Sequence, residues 1–305
     1  MFTNTRLILV SGKGGVGKTV VAAALGRALA DTGRRVLVLE ADPRDNLHHL
    51  FGVEPSGGAI IEAGPHLAIQ NASPRTILDE VVRDRLKISA LSSRVLASPI
   101  YQHFADGAPG LKEMMLLGYA MLATEGRRPR ADVVILDAPA SGHGLSLLSA
   151  PQLVSDVITT GPLGTMARRI AAFVADPTRS AIVLATLAEE SPVTETLETA
   201  AQVATRAGRP VDLVVVNQVW PEQTAAADAT DAQALWTARR RMNEGELARL
   251  GKQWRGARVV LPLVGEDFGP ALLTMLVEDL AGQLRAMGNG QWAMGVARPK
   301  SKKRA

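Results

Sequence analysis

Residues 11–19 read SGKGGVGKT and follow directly on the apolar run Leu7-Ile8-Leu9-Val10. Within them, GKGGVGKT matches GxxxxGK[ST], the glycine-rich loop that joins a buried strand to a helix and wraps nucleotide phosphates. A chance match somewhere in a chain of this composition has odds of roughly one in a hundred, and the strand and helix on either side lower them further. The chemistry needs these residue types. Glycines let successive backbone N–H groups and a helix N-terminus face negative charge, a lysine reaches the outer phosphate oxygens, and a hydroxyl can ligate Mg²⁺. The predicted cradle is therefore Gly12, Lys13, Gly14, Gly15, Val16, Gly17, Lys18, Thr19 and Val20, with Lys18 on the β/γ oxygens of a nucleotide and Thr19 on the metal.

A helix follows. Val21, Ala24, Leu25, Ala28 and Leu29 fall on one face, and Gly33 supplies a C-terminal stop. Further β-branched runs lie at 35–42, 131–138, 180–188, 212–219 and 257–264, with a weaker one at 66–70. Strands this apolar, alternating with helices, indicate a parallel sheet covered on both faces. The fold class expected is α/β: a mostly parallel, doubly wound sheet flanked by helices, with a helical lobe. One domain spans 1–288, with the lobe at about 73–129 and a helical insert at about 221–256. A last amphipathic helix carries Leu273, Leu276, Val277, Leu280 and Leu284.

Composition removes several classes of chemistry. The 305 residues include no cysteine, so disulfides, thiolate zinc sites, iron–sulfur clusters and thiol nucleophiles are excluded together. No run of about 18 apolar residues is present and the N-terminal apolar run is too short for a signal peptide, which predicts a cytoplasmic protein. The last eight residues, RPKSKKRA, hold five cations; removing those five from a net charge of +4 leaves the remainder near −1. Residues 289–305 are expected to be a basic, flexible tail, whose alternative reading is contact with nucleic acid or acidic lipid.

Ligands of open parallel sheets sit at the carboxyl ends of the strands. Asp42 and Asp137 both occupy such ends, in LEADPRDN and VVILDAPA. An aspartate after four apolar residues suits a partner of Mg²⁺, which is the role assigned to Asp137, through water; Asp42 is placed to orient or deprotonate the attacking water. A turn or cap aspartate is the plainer alternative for each. His48 and His49 read as packing or surface residues, and no histidine–carboxylate cluster has zinc spacing.

Lys13 is the residue that a simple phosphate loop does not require, and alone it reads equally well as a solvent-facing cation. KGGVGKT, however, resembles the deviant phosphate loop of the class containing the partitioning, division-site and nitrogenase iron-protein ATPases. In that class the first lysine reaches the partner subunit's nucleotide, so the resemblance implies an ATP-sandwich dimer.

Within that class, DPRDNLHHLFG (42–52), APGLKE (108–113), DAPASGHGLSLL (137–148), TLAEESPVTETLE (186–198), VVVNQV (214–219) and LPLVGEDFG (261–269) resemble, in order, segments of one family. It joins the arsenite-efflux ATPases with the ATPases that target tail-anchored membrane proteins. The resemblance implies a Mg²⁺-dependent ATPase, dimeric with itself or a related ATPase, passing a conformational change to a client. It makes Lys13, Lys18 and Asp42 catalytic, Asp137 a switch aspartate, and Asn217 and Pro262 adenine contacts, a capping role at a strand end being the plainer alternative for Asn217; Gly142 and His143 fall in the second switch. The chain departs from the pattern at Arg44-Asp45 and at Pro139, and without cysteine it cannot bind arsenite through thiolates or close a dimer on zinc. Two alternatives stand beside this reading: a positioning ATPase that binds DNA or membrane through the tail, and a nucleotide-holding subunit of low activity. The stretch LKEMMLLGYAMLA (111–123) is either a helix buried on the sheet or a methionine-lined client groove.

Overall fold

In the computed structural model, residues 1–41, 45–72, 77, 110–138, 143–222 and 231–288 are described. The expectations on Asp42, Arg44, Pro139, Gly142, the insert residues 223–230, the tail and the lobe between 73 and 109, Ile77 apart, lie outside these residues.

Eight strands form one sheet: β1 (Leu7–Ser11), β2 (Val36–Glu40), β3 (Ile61–Gly64), β4 (Leu67–Asn71), β5 (Val133–Asp137), β6 (Ser180–Leu187), β7 (Leu213–Val219) and β8 (Ala257–Pro262). Their order is β3-β4-β2-β5-β1-β6-β7-β8. Every pairing is parallel except that of the edge strand β3 with β4. The strand with the phosphate-loop signature, β1, lies between β5 and β6, so the chain winds away from it in both directions. That makes its carboxyl end the switch point where open α/β sheets take their ligands.

Alternation along the strands divides the core. Ile8, Val10, Val36, Val38, Val133 and Ile135 face α1 (Lys18–Ala30), the short α2 (Leu47–Phe51) and α8 (Pro270–Gly288). Leu7, Leu9, Leu37, Leu39, Val134 and Leu136 face α3 (Leu111–Glu125), α4 (His143–Val157), α5 (Gly161–Ala175) and α6 (Glu190–Arg206). Helix α7 (Asp231–Gln253) lies against α6 and enters the same core through Leu250. Each fully buried aliphatic side chain contributes roughly 1.5–3 kcal/mol, and both faces are paved with them, which is why the central strands carry no polar alternation.

Most of α3 is buried, including Met114, Leu117 and Met121, so the apolar surface of LKEMMLLGYAMLA belongs to the core rather than to an open groove. Trp254 packs against that core, whereas Trp220 and Trp236 meet edge to face with ring centroids 4.6 Å apart. Strand β3 went unread in the sequence: three of its four residues are half-covered and Glu62 is exposed, and a short edge strand shows neither a long apolar run nor clean alternation.

Candidate functional site

The glycine loop leaves β1 at Ser11 and enters α1 at Lys18. Two glycines in it are obligatory. Gly12 has φ 150°, and a Cβ there would lie 2.2 Å from the Ala185 carbonyl oxygen on β6. Gly17 caps α1 in the left-handed region at φ 85°, and a Cβ would come within 2.3 Å of Asn217 Nδ2. Between them Val16 is buried against the α1 face of the sheet, anchoring the loop from beneath.

Asn217, near the end of β7, donates from Nδ2 to the Val16 carbonyl at 3.0 Å and is 2% exposed. Its amide thus braces the loop backbone from the strand beyond β6, a role that sequence reading did not assign. Pro262 ends β8 beside it, where β7 and β8 slip register between Val216 and Val219. The neighbouring Gln218 is exposed and adopts a positive φ of 54° at that irregularity. The two residues expected at the base therefore share one corner, at the carboxyl ends of adjacent strands.

Lys18 is only 7% exposed, and its Nζ donates to the Lys13 carbonyl at 3.0 Å, folding the side chain back across the loop. Thr19 donates from Oγ1 to Asp137 Oδ2 at 2.6 Å, so α1 and the end of β5 meet at this pair. Asp137 is itself buried. The first turn of α1 contains no acidic residue, so no carboxylate of that turn offsets its N–H groups, the helix dipole and Lys18. A hydroxyl and a carboxylate converging at the carboxyl end of β5 are the hard oxygen donors that Mg²⁺ takes.

Lys13 behaves differently. Its Nζ leaves the loop and reaches Ser191 Oγ at 2.8 Å and Glu195 Oε1 at 2.5 Å on α6. Both partners of this ion pair are well exposed. The TLAEESPVTETLE segment was matched as a motif, yet which of its residues would meet Lys13 could not be read from it.

Glu40, the last residue of β2, is a further polar residue that sequence reading passed over. It is fully buried, and burial pushes its carboxyl upward, while N–H groups of Asn46, Asn71 and Leu47 pull it back.

A family model described as anion-transporting ATPase matches residues 5–161, which include the loop, β2, β5 and Asp137. The chain belongs to that family. It is 30% identical over 240 residues to the ATPase BagA of Mycobacterium tuberculosis, covering 75% of this chain and 70% of that one. To the arsenical pump-driving ATPase of Escherichia coli it is 28% identical over 249 residues, 75% of this chain and 42% of the other. To ATPase GET3 of Malassezia globosa it is 30% identical over 153 residues, 50% of this chain and 44% of the other. As a member of the anion-transporting ATPase family, it is an ATPase with a P-loop α/β fold. Among the described residues, no helix is long and apolar enough to cross a membrane.

Proposed function

We propose that this ATPase is a dimeric switch: Mg²⁺-ATP draws two subunits together, hydrolysis lets them part, and the motion is passed to a client protein. The observation that supports this most is the divergence of the two loop lysines. Lys18 is folded over its own phosphate cradle, whereas Lys13 extends away from it to the surface of α6. A cation there does nothing for its own subunit's phosphates and is available to those of a second.

In the reaction, Lys18 and the N-terminal turn of α1 hold the β- and γ-phosphates and stabilise the charge that develops as the terminal phosphoryl departs. Thr19, and Asp137 through water, would hold Mg²⁺, which would supply charge neutralisation at the phosphate oxygens. Asp42 orients the attacking water, and Asn217 with Pro262 receives the adenine. An amide can both donate to and accept from a base edge; while Asn217 Nδ2 holds Val16, its Oδ1 remains the group suited to an exocyclic amine. A nucleotide switch of this kind works because the terminal phosphate orders loops that hydrolysis releases. The client is a protein rather than thiolate-bound arsenite, because the chain has no cysteine.

The test is the mass of the Asp42→Asn protein in solution with and without Mg²⁺-ATP. A doubling with ATP, reversed on its removal and lost in Lys13→Ala, is the expected result. One mass under both conditions would sink the dimeric switch. Capture by the ATP-loaded Asp42→Asn protein then identifies the client.

A further inference from the structure

Burying a carboxylate is costly unless its oxygens are well supplied with donors. Glu40 is 0% exposed. Among the described residues, its hydrogen-bond partners are amide N–H groups. Oε1 accepts from Asn46 N at 3.2 Å and Asn46 Nδ2 at 3.1 Å. Oε2 accepts from Asn46 N at 3.0 Å, Leu47 N at 3.4 Å and Asn71 Nδ2 at 3.1 Å.

These donors come from two places. Asn46 and Leu47 are the N-cap and first residue of α2, and Asn71 ends β4. Glu40 is in register with Asn71 on one side and with Asp137 on the other. A second carboxylate reinforces the fastening: Asp45 Oδ2 accepts from Ser56 N at 2.8 Å and Ser56 Oγ at 3.2 Å, and Ser56 Oγ accepts from Asn71 N at 2.9 Å. At the other end, Ala41 N donates to the Asp137 carbonyl at 3.3 Å.

The chain that leaves β2 at Ala41 is thus tied to β5, and at residues 45–47 it is tied to β2 and β4. In sequence, Asp42 lies between the two ties. A link serving stability alone is made at lower cost by apolar residues, so a buried, amide-lined carboxylate at this place indicates that the span itself matters.

We infer that Glu40 is a positioning residue for hydrolysis: its carboxylate holds Asn46 and Leu47, downstream of Asp42, against the end of β2, while the backbone bond of Ala41 to Asp137 holds the upstream side. This rests on the reading of Asp42 as the residue that orients water. Glu40, fully buried, acts through the chain.

The experiment uses Glu40→Gln in the full chain, alone and combined with Asp42→Asn. The amide keeps one acceptor oxygen and turns an NH₂ group toward N–H donors, so the clasp loosens without loss of volume. Displacement of a catalytic group by about 1 Å lowers turnover on the order of 10²-fold. Turnover of Glu40→Gln should fall by that order while the affinity for Mg²⁺-ATP stays within about threefold, and on the Asp42→Asn background the same change should remove nothing further. Should Glu40→Gln fail to fold, Asn71→Ala removes one donor and should lower turnover less, again only when Asp42 is present. Unchanged turnover in a clasp variant, where Asp42→Asn is inactive, overturns the role of Glu40 alone. Equal fold-losses with and without Asp42, or parallel loss of nucleotide affinity, would make Glu40 structural. Wild-type turnover in Asp42→Asn by itself removes the reading beneath the proposal, and the proposal with it.

Discussion

The two ends of one nine-residue loop live in opposite environments. From Val16 to Thr19 the chain is enclosed: Val16 is held from below by Asn217, Gly17 has no room for a side chain, Lys18 is folded over the backbone, and Thr19 is joined to Asp137. Lys13, six residues before Thr19, carries its charge across open surface to a side-chain partner on α6. A preorganised group is useful where charge must be met without rearrangement, and a loosely held one where it must change partners. Exposed ion pairs of the Lys13–Glu195 type contribute about 0–1 kcal/mol, so Lys13 can leave at little cost.

The largest effect separating the two ends should come from Lys18→Ala. Turnover, followed by phosphate release at saturating Mg²⁺-ATP, is expected to fall on the order of 10²–10³-fold or more, because a preorganised donor to the transferring group is removed. Retention of turnover would break the assignment of the enclosed end as the chemical one.

Lys13→Ala sharpens the contrast. Turnover should drop by about tenfold or more while single-subunit nucleotide affinity is nearly kept, the signature of a group acting only in the closed, reacting state. Equal loss of both would return Lys13 to the status of an ordinary loop cation.

Next come changes to the brace. Asn217→Ala leaves the Val16 carbonyl without this donor in a buried place and should cost about 1–3 kcal/mol in denaturant unfolding. Gly17→Ala should cost a similar amount through its left-handed φ and its clash with Asn217. Because the two residues touch, the double variant should lose less than the sum; strict additivity would show that the brace is not what confines Gly17.

The smallest effect belongs to Glu195→Gln. Stability should change by less than about 1 kcal/mol, and the difference should shrink as salt is raised, since the pair is exposed and screened. A large, salt-independent loss would mean that Lys13 is fixed after all and would erase the comparison.

Much of this was legible in residue order. Strand, glycine loop and helix are neighbours in the chain, and their signals are local: an apolar run, a motif of fixed spacing and a 3.6-residue apolar stripe. The six strong β-branched runs and the weaker one at 66–70 each correspond to a strand. Thr19 and Asp137 were both assigned to one metal, and the structure joins them by a hydrogen bond. What stayed hidden was which polar groups hold the loop. Asn217 read as an adenine contact, and nothing local marks it also as the support beneath Val16. Glu40 read as the tail of an apolar strand.

The boundary follows from sequence separation. Elements whose causes lie within a few residues, such as the loop's conformation, the start of α1 at Lys18 and the parallel class of sheet, are written in local pattern. The contacts that give the loop its asymmetry join residues 118, 178 and 201 positions apart, Thr19 with Asp137, Lys13 with Ser191 and Val16 with Asn217. Their partners are set by strand order and by the packing of α6 on β6, which only the assembled sheet supplies. Residue types chose the chemistry; the winding of the sheet chose which lysine would be enclosed and which would face outward.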